Sequence, residues 1–217
     1  MSDFHKRRVV MVDTQVRPSD VTKYPIINAM LDVPREDFVP DDLREAAYAD
    51  APVTLAPGRV LMEARTFAKM LDAISVGPDE LVLDLGTGYG YGAAVLAKIA
   101  DFVVALEEDE TLSAEAEARL GEAEIDNVAV MTGPLVEGAA KHGPYDVVFI
   151  EGAVEQIPDA IGEQLREGGR IVAIFAEGNL GVVRLGQKID GVLNWRFEFN
   201  GTAPVLPGFS KATEFAL

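Results

Sequence analysis

The chain contains no cysteine. That excludes disulfides, a cysteine nucleophile, cysteine-ligated zinc and iron–sulfur clusters. It has two histidines, His5 and His142, far apart in the sequence. A histidine-based metal site or a Ser-His-Asp triad therefore has little to build on, and no metal is expected. Basic residues are scarce: 19 Lys and Arg stand against 36 Asp and Glu, a net charge of −17. Nucleic-acid binding needs a basic footprint, so that class is disfavoured. Long apolar runs are missing as well. After His5-Lys6-Arg7-Arg8 only Val9-Val10-Met11-Val12 precede Asp13. A secretory core needs about 7–15 apolar residues and a membrane span roughly 18. The chain reads as cytoplasmic, with no membrane partner.

What remains is an ordinary globular composition of 217 residues, 48% hydrophobic and 25% charged. Residues 1–57 read as helical and loop-rich, with helical spacing from Val21 to Leu31 and a loop over 51–58. Helical spacing returns from Arg59 to Ile74, and Gly77-Pro78 ends it. A different rhythm then begins. Short apolar runs at 81–85, 102–106, 128–131, 146–150 and 170–175 read as buried strands. Helical patterns at 91–100, 109–120 and 157–165 lie among them. This alternation predicts βαβ units and a doubly wound, mostly parallel Rossmann-like α/β sheet. Val182–Leu185 and Trp195–Phe199 flank Asp190-Gly191 and predict an antiparallel pair closing one edge.

The sharpest signal is Asp84-Leu85-Gly86-Thr87-Gly88-Tyr89-Gly90-Tyr91-Gly92. It follows a predicted strand and opens a predicted helix. Glycines there let the backbone turn tightly and approach a ligand closely, and the free N–H groups of the helix start favour polar or anionic groups. Glu107 ends the next strand, about 20 residues on, where an acid is placed to bind ribose hydroxyls. A nucleoside-containing cofactor is expected. A dinucleotide fingerprint fails from Gly86, because Tyr91 stands at its last position. It is met from Gly88 with Ala93, so NAD stays open. Asp84 followed by glycines at 86, 88 and 90 matches the S-adenosylmethionine pattern better.

Residues 82–97 resemble the cofactor loop of protein-L-isoaspartate O-methyltransferases. Other segments are similar to that family in the same order: Ala29–Pro40 with its Val33-Pro34-Arg35 and Phe38-Val39-Pro40, Ala47–Val53, Pro144-Tyr145-Asp146, Ile157-Pro158 and Gln164–Val172. The resemblance implies an S-adenosylmethionine-dependent methyltransferase acting on the carboxylate of isoaspartyl residues in proteins, a repair activity. Residues 1–217 would form a single methyltransferase-like domain, with an N-terminal helical cap (1–79) before the cofactor-binding α/β core (80–217). Asp84, Gly86, Thr87, Gly88, Gly90 and Glu107 would bind the cofactor. The acceptor would be a protein or peptide carboxylate.

Three segments depart from the family pattern. The family's Ser-x-Pro aligns with Met62-Glu63-Ala64, so hydroxyl and proline are both missing and no catalytic residue can be assigned there. Its Gly-Asp-Gly aligns with Gly133-Pro134-Leu135, and its small-residue fourth-strand end with Ile150-Glu151-Gly152-Ala153. Glu63 and Glu151 are expected to add negative charge near the site. These changes keep an alternative open: a member with an altered substrate, or a cofactor-binding protein without isoaspartyl activity.

Overall fold

A computed structural model describes residues 3–211. The N-terminal part holds helices α1 (Phe4–Met11) and α2 (Tyr24–Asp32), joined and followed by short 3-10 and π turns. A small hairpin follows, β1 (Val53–Ala56) and β2 (Arg59–Leu61), and then α3 (Ala64–Ile74). The main body comprises β3 (Leu81–Leu85), α4 (Tyr91–Ala97), β4 (Phe102–Glu107), α5 (Glu110–Glu122), β5 (Val128–Thr132), β6 (Tyr145–Val154), α6 (Asp159–Glu163), β7 (Leu165–Glu177), β8 (Leu180–Ile189) and β9 (Val192–Asn200).

Seven strands form one sheet in the order β5-β4-β3-β6-β7-β8-β9. The pairs among β5, β4, β3, β6 and β7 are parallel, and β8 and β9 add antiparallel strands at one edge. Parallel strands covered on both faces are continuously apolar. Every residue of β6 is buried, and so are Val82 to Leu85 of β3. Asp190 and Gly191 both take positive φ, 52° and 78°, the conformation that a two-residue hairpin turn requires. The predicted edge pair is therefore present.

The strand order reverses between β3 and β6. From β3 the chain moves outward through β4 and β5, then returns to place β6 and β7 on the other side. The crevice at the carboxyl ends of β3 and β6 is such a sheet's expected ligand position. One core cluster covers one sheet face and includes Met11, Met30, Phe38, Phe67, Tyr91 and Phe149. A second, with Leu83, Leu85, Ile150 and Phe209, covers the other. No helix among the described residues is long and apolar enough to cross a membrane.

Three local expectations need correction. Residues 53–61 form a hairpin where a loop and a helix start were expected. Pro57-Gly58 makes the turn, with Gly58 at φ 73°, and α3 begins only at Ala64. The helix expected over 157–165 contracts to Asp159–Glu163, because Leu165 already pairs with Tyr145 as the start of β7. The helix opened by Tyr91 ends at Ala97 rather than at residue 100.

Candidate active site

The turn from β3 into α4 is built as its sequence suggested. Gly86, Gly88 and Gly90 have φ values of 81°, 59° and 89°. A side chain at Gly88 would also meet a neighbour: an added Cβ lies 2.7 Å from Leu55 Cδ1. The Gly86 N–H donates to Leu106 O at 2.9 Å, which ties the loop to the end of β4. The loop thus lies against Glu107, the last residue of that strand.

Glu107 is fully buried and heavily engaged. Its Oε2 accepts from Gly88 N at 2.9 Å, and its Oε1 from Glu108 N at 2.9 Å and Asp109 N at 3.1 Å. Both oxygens also face a guanidinium. Arg59 donates from Nη1 to Oε1 at 2.7 Å and from Nη2 to Oε2 at 2.6 Å, and Nη2 also reaches Gly86 O at 2.7 Å. Arg59 opens β2 and is only 6% exposed. The sequence had singled out the acid but not its partner, and no local pattern connects positions 48 residues apart.

Asp84 and Glu151 form a second buried group on the sheet face that meets α4. Strand alternation puts Asp84 on the Val82 side of β3 and Glu151 on the Phe149 side of β6, both toward the first core cluster. A Cβ added to Gly92 would fall 1.9 Å from Glu151 Oε1, so this carboxyl lies tight beneath the first turn of α4. Burial pushes the Asp84 carboxyl up to about 7; hydrogen bonding from Thr87 and Glu151 counters it, and Glu107 adds to it. Burial, with the Asp84 charge beside it, holds Glu151 well above the usual carboxylate range. Two ionised carboxylates cannot bond to one another. Burial of the two carboxyls side by side therefore favours retention of a proton on the pair. The expectation that Glu151 adds charge at the mouth is therefore corrected: it is buried, and burial disfavours its charged form.

Above this pair sits Arg35, 1% exposed, with its guanidinium 4.8 Å from the Tyr91 ring centroid. Arg35 donates to Ala47 O at 2.7 Å and to Met62 O. Burial lowers its proton affinity. The Val-Pro-Arg segment thereby anchors both the chain before β1 and the Met62 position to the start of α4. Tyr91 packs on Phe38 and Phe67, so it serves the helix start.

The segments that depart from the family pattern fall around this site. Met62 is 2% exposed and sits in the first core cluster. Glu63 precedes α3 and its carboxylate meets Thr66 Oγ1 at 3.3 Å and Arg65 at 3.4 Å, so it serves its own helix start. Pro134 is exposed and opens a 3-10 turn after β5, beside Gly133, whose N–H donates to Glu107 O at 3.0 Å. His142 is exposed in a separate turn. A cleft of about 500 Å³ opens beside Arg59 and is walled by Gly58, Glu108, Asp109, Leu206 and Ser210. That volume falls within the range of small-molecule sites, roughly 300–1,000 Å³.

The backbone fits a nucleoside bearing an amino-acid end. It provides a strand–glycine-loop–helix turn whose glycines take positive φ, and an acid on the neighbouring strand. Arg59 stands on the acid, and Leu55 and Leu206 approach the loop glycines.

Comparison with known proteins agrees with this frame. The family profile described as Protein-L-isoaspartate(D-aspartate) O-methyltransferase (PCMT) matches residues 7–196. A protein-L-isoaspartate O-methyltransferase from Koribacter versatilis is 37% identical over 172 residues, 79% of this chain and 78% of the relative. One from Opitutus terrae is 37% identical over 162 residues, 75% and 70% of the two chains. Among solved structures, a protein-L-isoaspartate O-methyltransferase superposes with a TM-score of 0.81 at 22% identity, covering 94% of this chain and 66% of that one. A Plasmodium falciparum structure, described as a beta-aspartate methyltransferase in complex with S-adenosyl-L-homocysteine, gives 0.80 at 19% identity over 95% and 99%. At those identities the structures establish the fold, while the profile and the closer sequences establish the lineage: this chain belongs to the protein-L-isoaspartate (D-aspartate) O-methyltransferase family.

Proposed function

We propose that this chain is an S-adenosylmethionine-dependent O-methyltransferase acting on the free carboxylate of isoaspartyl residues in proteins. The observation that carries the reading is the β3–α4 glycine turn set against Glu107, in a chain with this family's profile along most of its length. When bound, the cofactor supplies a methyl group activated on a sulfonium. Gly86, Thr87, Gly88 and Gly90 would line its amino-acid end, the positive φ of the three glycines letting the backbone come close, with Asp84 beneath them. Glu107 would accept from the ribose hydroxyls.

Methyl transfer asks the protein mainly for alignment and exclusion of water, since positioning donor and nucleophile supplies much of the rate. Arg35 provides the bracing: it fixes residues 47 and 62 against α4, so the N-terminal segments and the loop form one rigid wall. We read residues 1–217 as one methyltransferase-like domain, supported by a core cluster that runs from Met11 to Leu185. We read the chain as cytoplasmic and its partner as a protein or peptide carboxylate. A net charge of −17 speaks against nucleic acid.

One observation favours a second reading, a member with a changed acceptor. Met62 is buried where the family pattern has a hydroxyl, and a thioether is at best a weak acceptor with no proton to donate. The test uses S-adenosylmethionine labelled on its methyl group and two peptides that differ only in an isoaspartyl or aspartyl linkage. Base-labile label on the isoaspartyl peptide alone is the expected result. Cofactor binding without label on either peptide would replace the first reading with the second.

A further inference from the structure

Glu107 is saturated. A carboxylate offers about four lone-pair positions. Here it receives two N–H groups from Arg59 and one each from Gly88, Glu108 and Asp109. No acceptor position is left for a ribose. The three backbone donors belong to the loop and the strand end, so they hold the acid in place. The two from Arg59 come from a side chain on a different element. They meet the carboxylate as a parallel pair, the pattern that two neighbouring hydroxyls would otherwise make.

Arg59 also lies on the loop itself. Its Nη2 is 3.2 Å from where a Cβ on Gly86 would stand, and it donates to Gly86 O. The glycine that permits close approach is thus approached by the protein's own guanidinium. Arg59 sits directly after the Gly58 turn, on a two-stranded hairpin that is separate from the main sheet and carries a register irregularity between Thr54 and Ala56. The adjoining cleft of about 500 Å³ gives the displaced side chain a solvent-accessible destination beside Glu108 and Asp109, whose charges would receive it.

We propose that Arg59 is an internal latch on the nucleoside half of the cofactor site: the Arg59–Glu107 pair and bound cofactor exclude one another, so residue 59 sets cofactor affinity. This rests on the reading of the loop as an S-adenosylmethionine site. The pair is buried, with side chains 7% and 0% exposed, so water does little to weaken it. Cofactor binding must then work against the latch, and the apparent affinity falls by the fraction of molecules in which the latch is open.

The experiment is calorimetric titration of S-adenosylhomocysteine into the wild-type chain and into Arg59→Gln, whose side chain is shorter and uncharged. Tighter binding by Arg59→Gln, on the order of tenfold or more, is expected. Adding Gly88→Val to that variant should abolish the gain, which places the ligand at the loop. Equal or weaker binding by Arg59→Gln, with measurable binding in the wild type, overturns the latch and leaves the site reading intact. Binding by neither overturns the site reading and the latch with it. Should Arg59→Gln fail to fold, the wild-type chain labelled with nitrogen-15 answers the same question. The Arg59 Nε resonance should shift and its proton should exchange faster at saturating S-adenosylhomocysteine. An unmoved, still protected resonance would refute the latch.

Discussion

The buried Asp84–Glu151 pair makes stability depend on pH in an unusual direction. Burial raises both carboxyls in the folded chain, Asp84 from 3.8 to about 7. The folded state therefore keeps protons that the unfolded chain releases. Their contribution is complete below the unfolded value and is lost as pH rises through the folded one, so unfolding free energy falls with pH in that window. One retained proton gives a slope of about 1.4 kcal/mol per pH unit. Between about pH 5 and about pH 7 the Asp84 proton alone accounts for a loss of roughly 2–3 kcal/mol, a large part of a typical total of about 5–15 kcal/mol, and the Glu151 proton adds to it. Glu80, lowered from 4.5 with Arg170 and the Gly77 N–H on its carboxylate, acts in the opposite sense, but its effect is complete before this window opens. Arg59, Arg35, Glu107 and Thr87 also bear on the pair. Urea unfolding at a series of pH values reads the slope directly. Glu151→Gln keeps the shape, removes the second acid and gives Asp84 an amide donor, so the slope should fall by at least half. A wild-type stability that is flat or rising over this window, or a slope unchanged in Glu151→Gln, would refute the reasoning.

Three further changes follow from the same geometry. Glu107→Gln leaves the buried Arg59 guanidinium without its charge partner and should cost about 3–5 kcal/mol of stability, read by denaturant unfolding. Gly88→Val puts a β-branched side chain at φ 59° and against Leu55; a loss of about 1–2 kcal/mol from backbone strain alone is expected in thermal unfolding, with no S-adenosylhomocysteine binding by calorimetry. Met62→Ser with Ala64→Pro restores the family pattern. Ala64 is the first residue of α3, a position that accepts proline, and Glu63 before it is extended at φ −51° and ψ 138°. Restoring an orienting donor should raise turnover on an isoaspartyl peptide by about 10²-fold, and an unchanged rate would mean that the hydroxyl has no role at this position.

The sheet was legible because its central strands are buried on both faces and appear as unbroken apolar runs. Residues 81–85 and 102–106 differ from the observed strands by at most one residue. The antiparallel edge was legible from Asp190-Gly191. The hairpin at 53–61 was not, since the helical spacing of Phe67, Met70, Leu71 and Ile74 extends backward through Leu61, and only Pro57-Gly58 marks the turn. Glu151 was expected to add charge near the mouth of the site because it stands at the carboxyl end of a strand. Counting alternate positions back through Phe149 and Val147 would have assigned it to the buried face. Arg59 carried no signal at all. A lone arginine after a turn gives no hint of a partner on β4, and only the fold brings the two together. The loop was legible for the opposite reason: its glycines, its strand and its acid all lie within one βαβ unit.

A crystal structure of the chain with S-adenosylhomocysteine tests the central claim most directly. The nucleoside is expected over the Gly86–Gly90 turn, with ribose hydroxyls within hydrogen-bond distance of Glu107 and Arg59 withdrawn into the neighbouring cleft. A ligand bound elsewhere, or a ribose directed away from Glu107, would contradict that claim.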